Sequence, residues 1–332
     1  MGPMLIAMYL GIEIGGTKLQ LGLGRGDGKL LGLWRGHVDP FGQGEGIRRQ
    51  IVAAIPDLLD ATHIARSDLT AVGIGFGGPV DDATQSVIKS HQVFGWDGFP
   101  LADWLGEALE LPAVLGNDAD VAGLAEVLFG AGKGLSPVLY MTIGSGIGGG
   151  LIVDGQILRG TGRGAGEIGH LTIPDPFMKH GPLGVTGMTP LERVASGWGI
   201  GDGARLKAKL DPTAGSKLVE LAGNLDRITA QTVAEAASAG DPLAKSVLDG
   251  ALDALADAIC AAIVLICPRR VVIGGGVSLM GEELFFQPLR AKIADRVFAP
   301  FAGLTDVVPA ELGEKVVVHG ALALARQALP AE

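Results

Sequence analysis

The feature that most constrains this chain is a unit that occurs twice. Residues Met8–Ile14 form an apolar, β-rich run that Gly15-Gly16-Thr17 interrupts. Lys18–Leu23 resumes the run, and Gly26-Asp27-Gly28 turns it into Lys29–Trp34. Short apolar runs separated by glycine turns predict three antiparallel strands in a meander. A helix follows over about Glu45–His63, with Ile47, Ile51, Ile55, Leu58 and Leu59 at helical spacing. A buried strand, Ala71–Phe76, then ends in Gly77-Gly78-Pro79. The second half repeats the grammar. Val138–Ile143 breaks at Gly144-Ser145-Gly146, continues as Gly148–Val153, and turns at Asp154-Gly155 into Gln156–Arg159. Much later, a helix over about Pro242–Cys267 precedes the strand Val271–Ile273 and Gly274-Gly275-Gly276. Two α/β lobes on one plan, facing each other, would leave a ligand cleft between them. The boundary is expected near Asn117–Gly130. Thr172–Gly187, rich in Pro and Gly and without periodicity, reads as a long loop.

The length of 332 residues suits about two domains. Lys and Arg number 26 against 36 Asp and Glu, a net charge of −10, which argues against nucleic acid as a partner. A hydrophobic fraction of 48% excludes a disordered chain. Cys260 and Cys267 lie seven apart in a helical pattern, so their Cα atoms stand ~10 Å apart. That exceeds the reach of a disulfide, about 7 Å, and a reducing cytoplasm is expected. Met1–Leu10 lacks the charged region and cleavage site of a signal peptide. Ala251–Cys267 is interrupted by Asp253 and Asp257, so it reads as a core helix and no membrane partner is expected.

Gly144–Gly149 satisfies G-x-G-x-x-G, but a strand follows where a dinucleotide fingerprint requires a helix. The better reading is a hairpin turn whose N–H groups and hydroxyl meet a phosphate. Gly15-Gly16-Thr17-Lys18 is a second such turn. Gly274-Gly275-Gly276-Val277-Ser278, between strand and helix, suits a nucleoside. Each cluster taken singly reads equally well as a plain turn. Asn117-Asp118 ends the strand Pro112–Gly116 and opens an amphipathic helix, a position that favours an N-cap as readily as a catalytic carboxylate. Gly166-Glu167-Ile168-Gly169-His170 suits a site for a polyol or a structural histidine. Glu192 suits the same site or a solvated helix face.

In this order, Glu13–Lys18, Thr142–Gly150 and Ile273–Ser278 resemble the two phosphate motifs and the adenosine motif of the ROK (repressor, open reading frame, kinase) family of sugar kinases. That family belongs to the actin/hexokinase/Hsp70 superfamily, and the resemblance runs from about Tyr9 to Ala325. It implies an α/β fold of two actin-like (ribonuclease H-like) lobes, each a mixed sheet with helices. A small lobe would span 1–118, completed by a C-terminal helix at 318–332, and a large lobe 119–317. The resemblance implies ATP with Mg²⁺, held by Gly15, Gly16, Thr17 and Lys18, by Gly144, Ser145, Gly146, Gly148 and Gly149, and by Gly275 and Gly276. It makes Asp118 the catalytic base. Asn117, Glu167, His170 and Glu192 would contact the sugar, with Gly78 at its edge.

The implied reaction transfers the γ-phosphate of ATP to the 6-hydroxyl of a hexose, most simply glucose. Alternatives are an N-acetylhexosamine or another hexose as acceptor, polyphosphate as donor, or a catalytically silent sugar-binding protein. The family's repressor branch carries an N-terminal helix-turn-helix, whereas the first strand here starts by about Met8. A homodimer is expected, as is common in the family. Three departures stand out. Leu183, Val185 and Pro190 occupy positions of the family's zinc-binding cysteines, so no zinc is expected. Glu13 replaces the usual Asp and is expected to reach Mg²⁺ through water. Gln92 stands where Asn is common, in the loop Ser90–Trp96 expected to face the sugar.

Overall fold

The computed structural model describes residues 7–38, 41–90, 92–175 and 187–328. The first meander is β1 (Met8–Ile14), β2 (Lys18–Gly24) and β3 (Leu30–His37). Helix α1 (Gln43–Thr62) buries Ile47, Ile51, Ile55 and Leu58, the spacing read from the sequence. Then come β4 (Leu69–Phe76), the hairpin β5 (Val80–Asp81) and β6 (Ser86–Val87), α2 (Leu101–Leu109), β7 (Ala113–Asn117) and α3 (Asp118–Phe129). The sheet order is β3-β2-β1-β4-β7. Pairing is antiparallel within the meander and parallel from β1 through β4 to β7.

The second meander is β8 (Val138–Ile143), β9 (Ile147–Val153) and β10 (Gln156–Ile157). The segment expected as a loop from Thr172 opens instead as a short strand, β11 (Thr172–Pro174), which pairs with β12 (Met188–Pro190); residues 176–186 of it lie outside the described residues. The chain continues through α4 (Glu192–Ala195), α5 (Gly197–Leu210), α6 (Ser216–Ala222), α7 (Ala230–Ser238) and α8 (Pro242–Ile266). It ends with β13 (Arg270–Gly274), α9 (Gln287–Arg296), β14 (Asp306–Pro309) and α10 (Val316–Ala328). The second sheet has the order β10-β9-β8-β13-β14, strand for strand the plan of the first. The copies differ in their third strand. β10 stops at Ile157 instead of continuing to Arg159, because the Arg159 carbonyl accepts the N–H groups of Gly162, Arg163 and Gly164 in a tight turn. The Arg159 guanidinium pairs with Asp82.

The chain divides into two compact units. One comprises the residues up to Ser136, Gly150–Ala165 and those from Ala310 onward; the other comprises Pro137–Gly149 and Gly166–Pro309. The first unit therefore runs past the expected break after Asp118. α3 stays in it because α10 lies against α3 so closely that a methyl group on Gly320 would stand 1.9 Å from the Val121 carbonyl oxygen. Glu126, fully buried near the end of α3, accepts hydrogen bonds from the N–H groups of Ala131 (2.8 Å), Glu311 (3.0 Å) and Leu312 (2.9 Å). These donors satisfy a carboxylate that would otherwise be costly to bury.

α10 also lies directly on the first sheet. Gly22, Gly11 and Gly73 are register neighbours on β2, β1 and β4. A methyl group on Gly11 would meet Leu322 Cγ at 2.9 Å, and one on Gly73 would meet the Ala321 carbonyl oxygen at 1.8 Å. Only a side chain without Cβ permits that approach. In the second unit the core helix is α8, capped by the Asp241 side chain, which accepts from Ala244 N–H (2.7 Å). Its acidic positions face α9: Lys292 reaches Asp249 and Asp253 (both 2.7 Å), and Arg296 reaches Asp257 (2.9 Å). The aspartates within the apolar run thus serve helix pairing. Among the described residues no helix is long and apolar enough to cross a membrane.

Two outcomes follow. Gly73→Ala should lower the urea-unfolding free energy by about 2 kcal/mol or more, since overpacking against backbone cannot relax by side-chain movement. His319 on α10 is buried, 6.5 Å from the Phe129 ring, and its Nδ1 has no hydrogen-bond partner among the described residues. Burial, and after it the Lys315 charge, push its pKa below the usual histidine value. The folded chain therefore resists protonation, and the contribution is full above about pH 6.5 and lost as pH falls. Melting temperature should drop more steeply from pH 7 to pH 5 in the wild type than in His319→Leu.

Candidate active site

In the first unit, the β1–β2 turn is closed by Gly15 N–H to the Lys18 carbonyl (2.9 Å). The N–H groups of Gly16 and Thr17 make no hydrogen bond among the described residues, and Thr17 is exposed. Glu13 faces Gln20 across the β1–β2 ladder and accepts its Nε2–H at 2.8 Å. Its other oxygen pairs with Lys18 Nζ at 3.0 Å. Lys18 and Gln20 both donate to the Glu314 carbonyl, at 3.1 and 3.0 Å. Burial pushes the Glu13 carboxyl above its usual range, against the opposing pull of Lys18. Each Glu13 oxygen thus holds one partner, an amide on one side and an ammonium on the other. In this arrangement Glu13 meets Lys18 and Gln20. Among the described residues no three His, Cys, Asp or Glu side chains are gathered to hold a metal.

The two readings of Asn117-Asp118 separate onto the two residues. The cap is Asn117, whose Oδ1 accepts from Ala119 N–H (2.9 Å) and Asp120 N–H (3.3 Å). Its Nδ2 donates to the Gly78 carbonyl (3.0 Å) and so holds that loop. Asp118 is the first helical residue, and its carboxylate is not needed for capping. Asp118 and the β1–β2 turn both border Gly77: a methyl group there would lie 3.4 Å from Asp118 Oδ2 and 3.5 Å from Gly15 Cα.

In the second unit, the β8–β9 turn docks onto the start of α5. The carbonyls of Gly144 and Ser145 accept from the N–H groups of Gly197 (2.7 Å) and Trp198 (3.4 Å). In a trans peptide the N–H points opposite its carbonyl, so the N–H groups of Ser145 and Gly146 are turned away from α5. Neither finds a partner among the described residues. Ser196 caps α5 by accepting from Gly199 N–H (3.1 Å). Glu192 Oε2 lies 3.5 Å from Ile147 N and would be 3.0 Å from a methyl group on Gly146. A polar cavity of about 470 Å³ beside this turn is lined by Ser145, Gly146, Glu192, Ser196 and Trp198, among others. Gly148 and Gly149 lie within β9 rather than in the turn. Gly275 has φ +88°, and a methyl group on it would stand 2.5 Å from the Ile143 carbonyl oxygen, whereas Gly276 faces open space.

The ROK family model matches residues 9–328. The chain belongs to the ROK family. It is 33% identical to a glucokinase of Halalkalibacterium halodurans, with 96% of this chain and 95% of that one covered. It is 34% identical to a glucokinase of Thermotoga maritima, over 96% and 97%. Among solved structures, a ROK family glucokinase of Streptomyces griseus in complex with glucose and AMPPNP shares 32% identity at a TM-score of 0.76, covering 96% of this chain and 99% of that one.

Within this ROK chain the three sugar candidates of the second unit do not share one lining. Glu192 borders the polar cavity at the β8–β9 turn. Glu167 and His170, both exposed, line a groove of about 330 Å³ with Ala258, Ala261 and Leu265 of α8. The two segments are linked by Leu191 N–H to the Leu171 carbonyl (2.9 Å). Of the positions aligned with zinc cysteines, Pro190 is in β12, while Leu183 and Val185 lie outside the described residues. Sequence reasoning missed Gln20 and Ser196. Gln20 interrupts an otherwise apolar strand, and Ser196 directly precedes a glycine-rich helix start, so each left a signal. Asn117→Ala should lower unfolding free energy by about 1 kcal/mol through the lost cap. Asn117→Asp keeps the cap and loses the donor to Gly78, so urea unfolding should return it close to wild type.

Proposed function

We propose that this chain is an ATP-dependent hexose kinase whose acceptor is glucose. The observation that carries the reading is the position of Asp118. Its carboxylate, relieved of capping by Asn117, borders the same glycine as the first phosphate turn. In this reading the N–H groups of Gly16 and Thr17, the Thr17 hydroxyl and Lys18 bind phosphate oxygens, as do the N–H groups of Ser145 and Gly146. Gly275 and Gly276 border the adenosine. Asn117 Nδ2 has a second hydrogen for a sugar hydroxyl, and Glu192, on the cavity beside the β8–β9 turn, accepts from another. Asp118 accepts the proton of the 6-hydroxyl as that oxygen attacks the γ-phosphorus, and the bond to the ADP oxygen breaks. Standing at a helix N-terminus favours the negative charge Asp118 needs for this. Magnesium arriving with ATP offsets charge on the phosphate oxygens; no residue of this chain is assigned to it.

The resemblance in sequence and fold to the glucokinases supports glucose as acceptor. The same reading includes a cytoplasmic homodimer, which sedimentation of the purified protein tests. ADP release should depend on sugar when MgATP is offered with glucose, N-acetylglucosamine, N-acetylmannosamine, mannose and fructose, and should be fastest with glucose. Asp118→Ala should lower kcat by about 10²–10⁴ while leaving glucose and AMPPNP binding near wild type. ADP release indifferent to every sugar would sink the reading.

A further inference from the structure

One residue links the loop expected to face the sugar with the first phosphate turn. A methyl group on Gly16 would lie 1.4 Å from Gln92 Oε1, 2.5 Å from its Cδ and 2.9 Å from its Cβ. The Gln92 side chain therefore fills the space alongside the turn residue whose N–H has no partner among the described residues. The loop that carries it is pinned at several points. Trp96 is buried, edge-on to Phe76 at 5.3 Å and to Phe99 at 5.7 Å. Phe76 directly precedes Gly77, which borders both Asp118 and Gly15. Arg48 donates to the Gly95 carbonyl (3.1 Å) and lies 4.1 Å from the Phe99 ring centre. Gly44 N–H reaches the Phe94 carbonyl at 2.8 Å, and Ser90 Oγ accepts from Val93 N–H at 3.2 Å. Such a loop delivers a carboxamide to one place rather than letting it wander.

Resting on the kinase reading above, we infer that Gln92 is a positioning residue for the transferred phosphate. Oε1 is the atom nearest Gly16; with the carboxamide turned over about Cγ–Cδ, Nε2–H takes its place and donates to a phosphate oxygen held on the Gly15–Lys18 turn, from the loop expected to face the hexose. Glutamine suits this role where asparagine does not, because asparagine is one methylene shorter. The loop then links the two ligands, with Gln92 as its contact to the phosphate, so hexose binding tightens the nucleotide.

The test is calorimetric titration of AMPPNP with magnesium, with and without saturating glucose, alongside steady-state kinetics. In the wild type, glucose should tighten AMPPNP. In Gln92→Ala and Gln92→Asn that tightening should disappear, and the KM for ATP should rise about threefold to tenfold, the range of one lost hydrogen bond. Gln92→Glu keeps the length but sets a carboxylate against phosphate, so its loss should exceed that of Gln92→Ala. Glucose affinity without nucleotide should stay within about twofold in all three. Unchanged nucleotide binding in Gln92→Ala would overturn the inference, as would Gln92→Glu matching Gln92→Ala, since packing alone would then account for the loss. Failure of the kinase reading is separate: it shows as wild-type protein without sugar-dependent ADP release.

Discussion

The first unit depends on one contact, the bed of backbone on which α10 rests. Gly22, Gly11 and Gly73 remove three side chains from one patch of sheet, and the helix descends until its Ala321 carbonyl nearly touches β4. Everything at that end is set by the depth of this approach. α3 is drawn against α10 at Gly320, which fixes the start of α3 and with it Asn117 and Asp118. The turn that leads into α10 presents the Glu314 carbonyl to Lys18 and Gln20, and those two side chains hold Glu13. Close packing of this kind transmits small displacements, because there is no soft side chain between the backbones to absorb them.

The duplicated plan yields two hairpin turns with the same equipment: two N–H groups without partners among the described residues and an adjacent hydroxyl, Thr17 in one and Ser145 in the other. Their supports differ. The first turn is backed by a buried carboxylate and an ammonium; the second is backed by the N-terminus of α5, which takes up its carbonyls. One repeat stabilises its turn with charged side chains and the other with a helix. The shared feature is the outward N–H pair, which is what an anionic oxygen requires.

Much of this was legible because strands and turns are local. The meanders, the α1 stripe and α8 are written as alternation, glycine punctuation and helical spacing, and they stand close to where those signals put them. α5 was not legible. Gly197, Gly199, Gly201 and Gly203 fall within it and carry poor helix propensity, which burial of Gly199, Ile200, Gly201 and Gly203 overrides. The motif around Asn117-Asp118 was recognisable, but which residue caps the helix is decided by side-chain direction. The contact of Gln92 with Gly16 joins residues far apart in the chain, so no local pattern reports it. The grouping of Glu167 and His170 with Glu192 came from motif order, and the structure assigns them to different linings.

The descent of α10 onto the first sheet also has a consequence in time. Lys18 and Gln20 complete their bonds on a carbonyl 296 and 294 residues later. At a synthesis rate of 5–20 residues per second the earliest strands wait roughly 15–60 s for the helix that covers them. During that interval the flat glycine face of β2, β1 and β4 has no cover, and the second unit, complete by Pro309, is finished first. In a chain built this way every residue of the second unit has been made by Pro309, while the sheet of the first unit still lacks the helix that covers it.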